Sequence, residues 1–366
     1  MGPMKLHFNF CDILLAPRLA LSGKKIWVFL IGNLIGYAVY WILSMIAFLA
    51  SGDSFTATWT VHGLYPCLFG SQVSSWFSWL LYSLGSIFWI FALSFSCTAV
   101  SRITYKQLKG DNFFSTGDAI KFVKKHWHPL ALTVIAFTVI ILVFLIGAVV
   151  FALFGKIPYV GEFLFVLPYL VYFFGAVFTI YTALVFLVSL DFTPIFVATY
   201  EEDTMGSVFQ SYAITWSQPW RIITYFLILV PMMVISTSIF YFFWRMGFKL
   251  VSSVFGLNFL MGEKLHNIVN KAVDYICPVL FKTGNIIQTS ASENVSAVIL
   301  AFFLFILSLA VFSYALSVLT VGKTLMFVIF KKKSDDENLL ERKDEDELAA
   351  EEEEGSEGSK SEIEPE

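Results

Sequence analysis

Charged residues are scarce in this chain: Asp, Glu, Lys and Arg make up 14% of its 366 residues, against about 25% in soluble domains. It has only four cysteines, too few for a dense disulfide framework. It contains no His-Glu-x-x-His pair and no Gly-x-Ser-x-Gly elbow, two motifs of hydrolytic enzymes. These absences argue against a soluble enzyme, a nucleic-acid-binding protein and a secreted disulfide-rich module. We expect no cofactor and no enzymatic activity through these chemistries.

Apolar residues are abundant instead, at 57% of the chain, and 40 of them are phenylalanines. Six uninterrupted apolar runs are each long enough to cross a hydrocarbon core of about 30 Å as a helix. Without strict alternation they are not barrel strands. The sequence predicts an all-α polytopic membrane protein with six transmembrane helices in three hairpins. The predicted spans are 26–50, 76–99, 129–154, 163–190, 222–244 and 295–320, with an extracytoplasmic cap at 245–293.

The net charge of −4 conceals two opposed regions. Residues 335–366 hold 16 of the 28 acidic residues and only three basic ones, whereas the rest of the chain has 21 basic and 12 acidic residues. A segment so charged and so poor in aromatics cannot bury enough apolar surface to fold. We predict a helical membrane domain over 1–334 and a disordered acidic cytoplasmic tail over 335–366. The tail is either an arm for a basic partner or a solubilising segment.

The distribution of Lys and Arg between the spans predicts the orientation. The N-terminal segment has four, the first loop none and the second loop six, and alternate segments together hold 18 against six. Basic residues accumulate on the cytoplasmic side of a membrane. Both termini are therefore predicted to be cytoplasmic.

Short amphipathic segments precede the predicted hairpins. Segment 115–128 starts with helix-capping residues and has an apolar and a basic side, which predicts a helix lying in the membrane surface. Segment 203–217 repeats the cap and the apolar side, with an uncharged polar side opposite, and a weaker copy precedes the first span. The alternative is that membrane-proximal loops commonly acquire such residues. The predicted interfacial anchors are Trp127, Trp216, Lys121, Lys124 and Lys125.

The second of these segments carries a family resemblance. Residues 201–206 read Glu-Glu-Asp-Thr-Met-Gly, and Thr215 and Trp216 follow nine and ten residues after Gly206. This pattern resembles the surface helix of the YciC family and of the membrane domain attached to some glycerophosphodiester phosphodiesterases. The resemblance covers about half of the chain, those proteins usually have Ser at the position of Thr215, and no catalytic domain follows here. It implies a six-helix protein of the bacterial inner membrane and implies no reaction.

Asp, Glu, Lys, Arg and His are absent from the interiors of the six predicted spans, although coupled transporters commonly place such residues there. Asp191, at the end of the fourth span, is the candidate functional carboxylate; the alternative is an ordinary interfacial charge. Gly32 and Gly36 have the Gly-x-x-x-Gly spacing that allows two helices to approach closely, within the chain or in an oligomer.

Three classes of function remain open. The leading hypothesis is a non-enzymatic membrane protein that organises or binds envelope components, with membrane lipids and a basic or membrane-protein partner of the tail as expected partners. The second is a transporter or channel for a lipid or neutral solute. The third is a membrane-embedded lipid enzyme. None of the three involves nucleic acid.

The predicted topology places Cys67 and Cys277 together on the oxidising side of the membrane. A bond between them would close a loop of more than 200 residues and tie the first outer loop to the fifth. His62 and His266 lie in the same loops, so a metal site with two Cys and two His ligands is an alternative, with spacings that match no standard zinc finger. Two unrelated buried thiols are the third interpretation.

Overall fold

The computed structural model describes residues 3–69, 75–276 and 290–344. Within these ranges the chain is helical and contains no β-strand. Six of the helices within these ranges, which start at Gly23, Trp76, His128, Tyr169, Pro219 and Ala291, are long and apolar enough to cross a membrane, which confirms the predicted all-α polytopic fold. The elements are a 3₁₀ helix at Phe10–Leu15 and the α-helices α1 Ala16–Ala20, α2 Gly23–Ala50, α3 Phe55–His62, α4 Trp76–Lys109, α5 Thr116–Lys125, α6 His128–Phe154, α7 Val160–Val166, α8 Tyr169–Tyr200, α9 Thr204–Ser217, α10 Pro219–Phe255, α11 Glu263–Ile276 and α12 Ala291–Ser334.

The chain forms two compact units. The first contains residues 1–13, 101–226 and 322–366, and the second contains residues 14–100 and 227–321. In the first unit, α6, α8 and α9 pack around Phe137, Val185 and Val208. Phe196 of α8 and Phe327 of α12 pack together in the same unit, with ring centroids 5.0 Å apart. The large apolar side chains of α6 between residues 142 and 154 are mostly exposed, as expected of a surface that faces lipid rather than water.

In the second unit, a buried polar residue joins three helices. Asn33 of α2 is fully buried; its amide donates to the Ser313 hydroxyl at 3.3 Å and accepts from the Trp89 indole at 3.3 Å. Because lipid offers no hydrogen-bond partner, these bonds favour one rotational setting of α2, α4 and α12. A Cβ on Gly36 would lie 2.4 Å from the Trp89 ring. The Gly32 and Gly36 spacing therefore serves helix packing within this chain.

The predicted span boundaries differ from the observed helices in several places. The span predicted at 163–190 is broken, because α7 ends at Val166 and α8 starts only at Tyr169. Pro168 lies between them, and proline disfavours helix at the preceding residue. α4 and α12 continue to Lys109 and Ser334, since the end of an apolar run does not end a helix. Residues 245–255 of the predicted cap likewise belong to α10, residues 263–276 form α11, and residues 277–289 lie outside the described ranges.

The two surface segments form helices with the predicted N-caps. The Ser115 hydroxyl accepts from the Asp118 amide at 3.1 Å at the start of α5. The Asp203 carboxylate accepts from the Gly206 amide at 2.7 Å at the start of α9. Each bond satisfies one of the free amides of a first helical turn.

Candidate functional site

Three basic residues share one face at the end of α4. Arg102, Lys106 and Lys109 are spaced by four and three residues, which brings them onto one side of a helix. Arg102 is fully buried, and the side chains of Lys106 and Lys109 are nearly so. Burying a cation costs several kcal/mol unless it is paired and hydrogen-bonded, so their partners define this site.

Arg102 is surrounded by acceptors from three parts of the first unit. Its guanidinium lies 2.8 Å from Glu201 and 3.2 Å from Asp344. A further N–H donates to the Ala198 carbonyl at 3.2 Å, and the guanidinium carbon lies 4.2 Å from the Phe122 ring centroid. The buried guanidinium therefore connects α4, α8, α5 and the residues that follow α12.

Glu201 reaches Arg102 from an unusual backbone conformation. It follows the last residue of α8 with φ 58° and ψ 31°, in the left-handed region. Glycine is the residue usually found there, because other side chains pay on the order of 1 kcal/mol or more. The short ion pair with Arg102 is a gain that offsets this strain.

Asp344 is the common partner of all three basic residues. Its carboxylate lies 3.2 Å from Arg102, 2.7 Å from Lys106 and 3.9 Å from Lys109, and the residue is buried. Burial raises the pKa of Asp344, but the hydrogen bond from Lys106 and the three positive charges outweigh this effect and hold it below its usual value. The carboxylate is thus ionised at neutral pH.

We call residues 335–344 the proximal tail, and they pack onto the first unit. Leu339 is fully buried, and its carbonyl accepts from the Tyr105 hydroxyl at 2.8 Å. The Lys109 ammonium donates to the Arg342 carbonyl at 2.7 Å, and the Arg342 guanidinium lies 3.8 Å from the centroid of the Tyr200 ring. The prediction that the disordered tail begins at residue 335 is therefore wrong for residues 335–344. For residues 345–366, which lie outside the described ranges, it stays a prediction.

Asp191 takes part in a second ion pair of the first unit. Its carboxylate accepts from the Lys323 ammonium at 2.5 Å; the Asp191 side chain is half exposed, whereas that of Lys323 is buried. The pair joins α8 to α12. Asp191 lies within α8, nine residues before its end, and both interpretations of it, a functional carboxylate and an ordinary interfacial charge, stay predictions.

The predicted interfacial anchors are exposed, but the two surface helices differ. Lys121, Lys124, Lys125 and Trp127 lie on the surface, whereas the apolar side of α5 is buried in the protein rather than offered to lipid. On α9 the arrangement is reversed, because small polar residues such as Ser207 and Ser211 are buried and large apolar ones are exposed. The exposed apolar residues of α9 are Met205, Phe209 and Trp216. A helix with this outward face suits a membrane interface.

The cysteine hypotheses reach beyond the described chain. Cys277 lies outside it, so both the disulfide and the metal site stay predictions. The Cys67 thiol lies 3.8 Å from the Tyr82 hydroxyl in the second unit. The His62 ring packs against Phe48, with centroids 4.8 Å apart.

Sequence reasoning used Arg102, Lys106 and Lys109 only as charges that indicate orientation. The spacing of these three residues was the signal in the sequence that could have identified the site, because three cations on one face of a helix are stable when carboxylates lie nearby. Nothing in the sequence paired them with Asp344, because its distance along the chain carries no information about contact.

Comparison with protein-family models, with curated proteins and with solved structures gives no match to this chain.

Proposed function

We propose that the protein is a non-enzymatic integral protein of the bacterial inner membrane that binds another envelope component through its acidic C-terminal tail. The observation that carries the proposal is the set of ion pairs between Asp344 and the basic face of α4. They hold the chain to the first unit at the point where the most acidic segment starts.

Burying charged side chains costs desolvation free energy, and a tail that only solubilises the protein does not require it. The buried ion pairs therefore favour a binding arm over a solubilising tail. The 22 residues after Asp344 contain 11 acidic residues and one basic residue. Such a segment would keep the protein soluble wherever it left the helices, and it needs no buried anchor for that purpose. Anchoring its first residue instead confines the acidic arm to a small volume, which raises its effective concentration for a partner on the same membrane. A partner of matching chemistry carries a basic surface.

The proposal places both termini in the cytoplasm, in agreement with the excess of basic residues in alternate segments. Cysteines introduced one at a time, in a chain whose native cysteines are replaced, test this orientation. A membrane-impermeant maleimide should label Asp53→Cys in intact cells and Asp336→Cys only after lysis. Labelling of Asp336→Cys in intact cells would contradict the orientation.

The binding function is tested by crosslinking in the native membrane followed by affinity purification. The full chain is compared with a chain ending at Asp344, with a tail whose acidic residues are changed to the corresponding amides, and with a tail of permuted order. We expect the partner to be lost from the first two variants and retained by the permuted tail, because the attraction depends on charge. Recovery of the same partners from all four chains would contradict the proposal.

A groove favours transport as a second candidate function. It lies between α6 and α8, has a volume of about 560 Å³ and has an almost entirely apolar lining that includes Gly147 and Gly175. Purified protein in liposomes distinguishes the candidates: saturable flux of a lipid or neutral solute would support transport and overturn the first proposal. Turnover of an added lipid, abolished by substitutions in the surface loops, would instead support a lipid enzyme.

A further inference from the structure

A cavity at the start of α10 is lined by two basic side chains that lie outside the Asp344 cluster. It has a volume of about 290 Å³, roughly that of ten water molecules. We call it the α10 pocket, and all of its lining belongs to the first unit. The lining includes Ser217, Gln218, Trp220, Arg221, Lys333 and Ser334.

The α10 pocket is positively charged. Its two ionisable lining residues are Arg221 and Lys333. The neighbouring Lys331 and Lys332 are paired with acidic residues one helical turn later, at 2.6 and 2.8 Å. Within residues 3–69, 75–276 and 290–344, no carboxylate pairs with Arg221 or Lys333. Both cations therefore remain available to an anion.

A buried glutamine positions the arginine. The Gln218 amide nitrogen donates to the Phe330 carbonyl at 3.1 Å, and its amide oxygen accepts from the Arg221 guanidinium at 3.2 Å. One guanidinium nitrogen is thus held by the backbone of α12 through Gln218. The other N–H groups keep the planar geometry that binds two oxygens of a phosphate at once. Gln218 acts here as a positioning residue.

The residues around the α10 pocket indicate that it lies at the depth of the lipid headgroups. α10 is one of the helices able to cross a membrane, and the pocket lies at its first residues. Trp216 and Trp220, on either side of this start, are 79% and 78% exposed. Exposed tryptophans at the end of a span are typical of the interface, where lipid phosphates lie. Basic pockets between transmembrane helices bind anionic headgroups at that depth.

We propose that the α10 pocket binds the phosphate of an anionic phospholipid headgroup, held by Arg221 and Lys333, with Trp220 against the glycerol and upper acyl region. The site is independent of the tail, and a chain ending at Asp344 retains it.

The test measures lipid binding to the delipidated full-length protein by native mass spectrometry. We expect phosphatidylglycerol to bind about tenfold or more tightly than phosphatidylcholine, and the Arg221→Gln, Lys333→Gln double variant to lose this preference. Lys332→Gln is the matched control, because it removes a neighbouring charge that is not part of the pocket lining. Lys333→Gln alone changes an exposed residue without affecting folding and should give a partial loss.

Two results would overturn the proposal. An unchanged preference for phosphatidylglycerol in the double variant would exclude the pocket as the site. Inorganic phosphate tests the source of the anion: at millimolar concentration it should leave bound phosphatidylglycerol in place. If phosphate displaced the lipid and bound the lipid-free protein as tightly as phosphatidylglycerol does, the pocket would be a site for soluble phosphate. That result would overturn the lipid assignment.

Discussion

Replacing Asp344 with asparagine removes the negative charge that three buried or nearly buried basic side chains share. The carboxylate lies 2.7 Å from Lys106 and 3.2 Å from Arg102, so the change leaves Lys106 without its short ion pair. Removing one partner of a buried pair typically costs about 3–5 kcal/mol, because the remaining charge stays desolvated. At 1.4 kcal/mol for each factor of ten, release of the proximal tail should become about 100- to 4,000-fold more frequent.

Hydrogen exchange of the protein in nanodiscs measures this release directly. Amides of residues 337–344 should exchange faster in Asp344→Asn by that factor, while amides of α6 and α8 keep their rates. Asp336→Asn is the matched control: it removes an acid of the same segment whose side chain is 92% exposed and pairs with Lys332 on the surface. It should leave the exchange rates unchanged. Equal rates in the wild type and Asp344→Asn, or equal acceleration by both variants, would refute the role of the buried ion pairs.

Three further outcomes are expected. The pKa of Asp344 is held below the ordinary 3.8, so its contribution to docking of the proximal tail is complete above pH 3.8 and is lost as the pH falls through the lower pKa of the folded state. After correction for the intrinsic pH dependence of hydrogen exchange, the exchange rate of the proximal tail should be constant from pH 7 to 5 and should rise only below about pH 4. Gly36→Ala would place a Cβ 2.4 Å from a tryptophan ring of α4 and should destabilise the protein by about 1–3 kcal/mol in thermal unfolding, whereas Gly147→Ala, whose Cβ meets nothing within 4 Å, should not. If Cys67 and Cys277 are bridged, maleimide mass tagging should modify them only after reduction, and tagging without reductant would exclude the bond.

The number and type of the long helices were predictable from the sequence. Their apolar runs exceed the membrane thickness, and lipid allows no free backbone amide, so a helix is the only solution. The helix ends were less predictable. α4 continues as far as Lys109 because Arg102 and Lys106 have buried partners there. A hydropathy profile shows only that these residues are charged.

The surface helices show how a correct pattern can be assigned to a wrong environment. The amphipathic pattern of α5 predicted a helix, and the helix is present, but its Phe122 packs beneath Arg102 instead of entering lipid. Periodicity identifies which residues share a face. It does not identify what covers that face, which depends on the neighbours that the fold brings to it.

The boundary of the disordered tail was misplaced because composition averages over unlike segments. Residues 335–344 share the acidic character of the rest of the tail, yet they also contain Leu339 and Leu340, both buried, and Arg342, which stacks on an aromatic ring. Two buried leucines and a few ion pairs are enough to fix ten residues on a surface that already exists. The low hydrophobicity of a segment limits only its ability to fold alone.

The same contacts divide the basic residues that predicted the orientation into two groups. Of the six between the predicted second and third spans, Arg102, Lys106 and Lys109 are buried or nearly so and share Asp344, while the three lysines of α5 are exposed. A count of charges treats all six alike, but only exposed ones can attract an anionic membrane surface. The exposed lysines of α5 thus remain candidates for the proposed attraction to lipid, whereas the buried basic residues bind the proximal tail. An excess of positive charge in the sequence therefore does not by itself indicate a membrane contact, because half of this excess is paired with the chain's own residues 335–344.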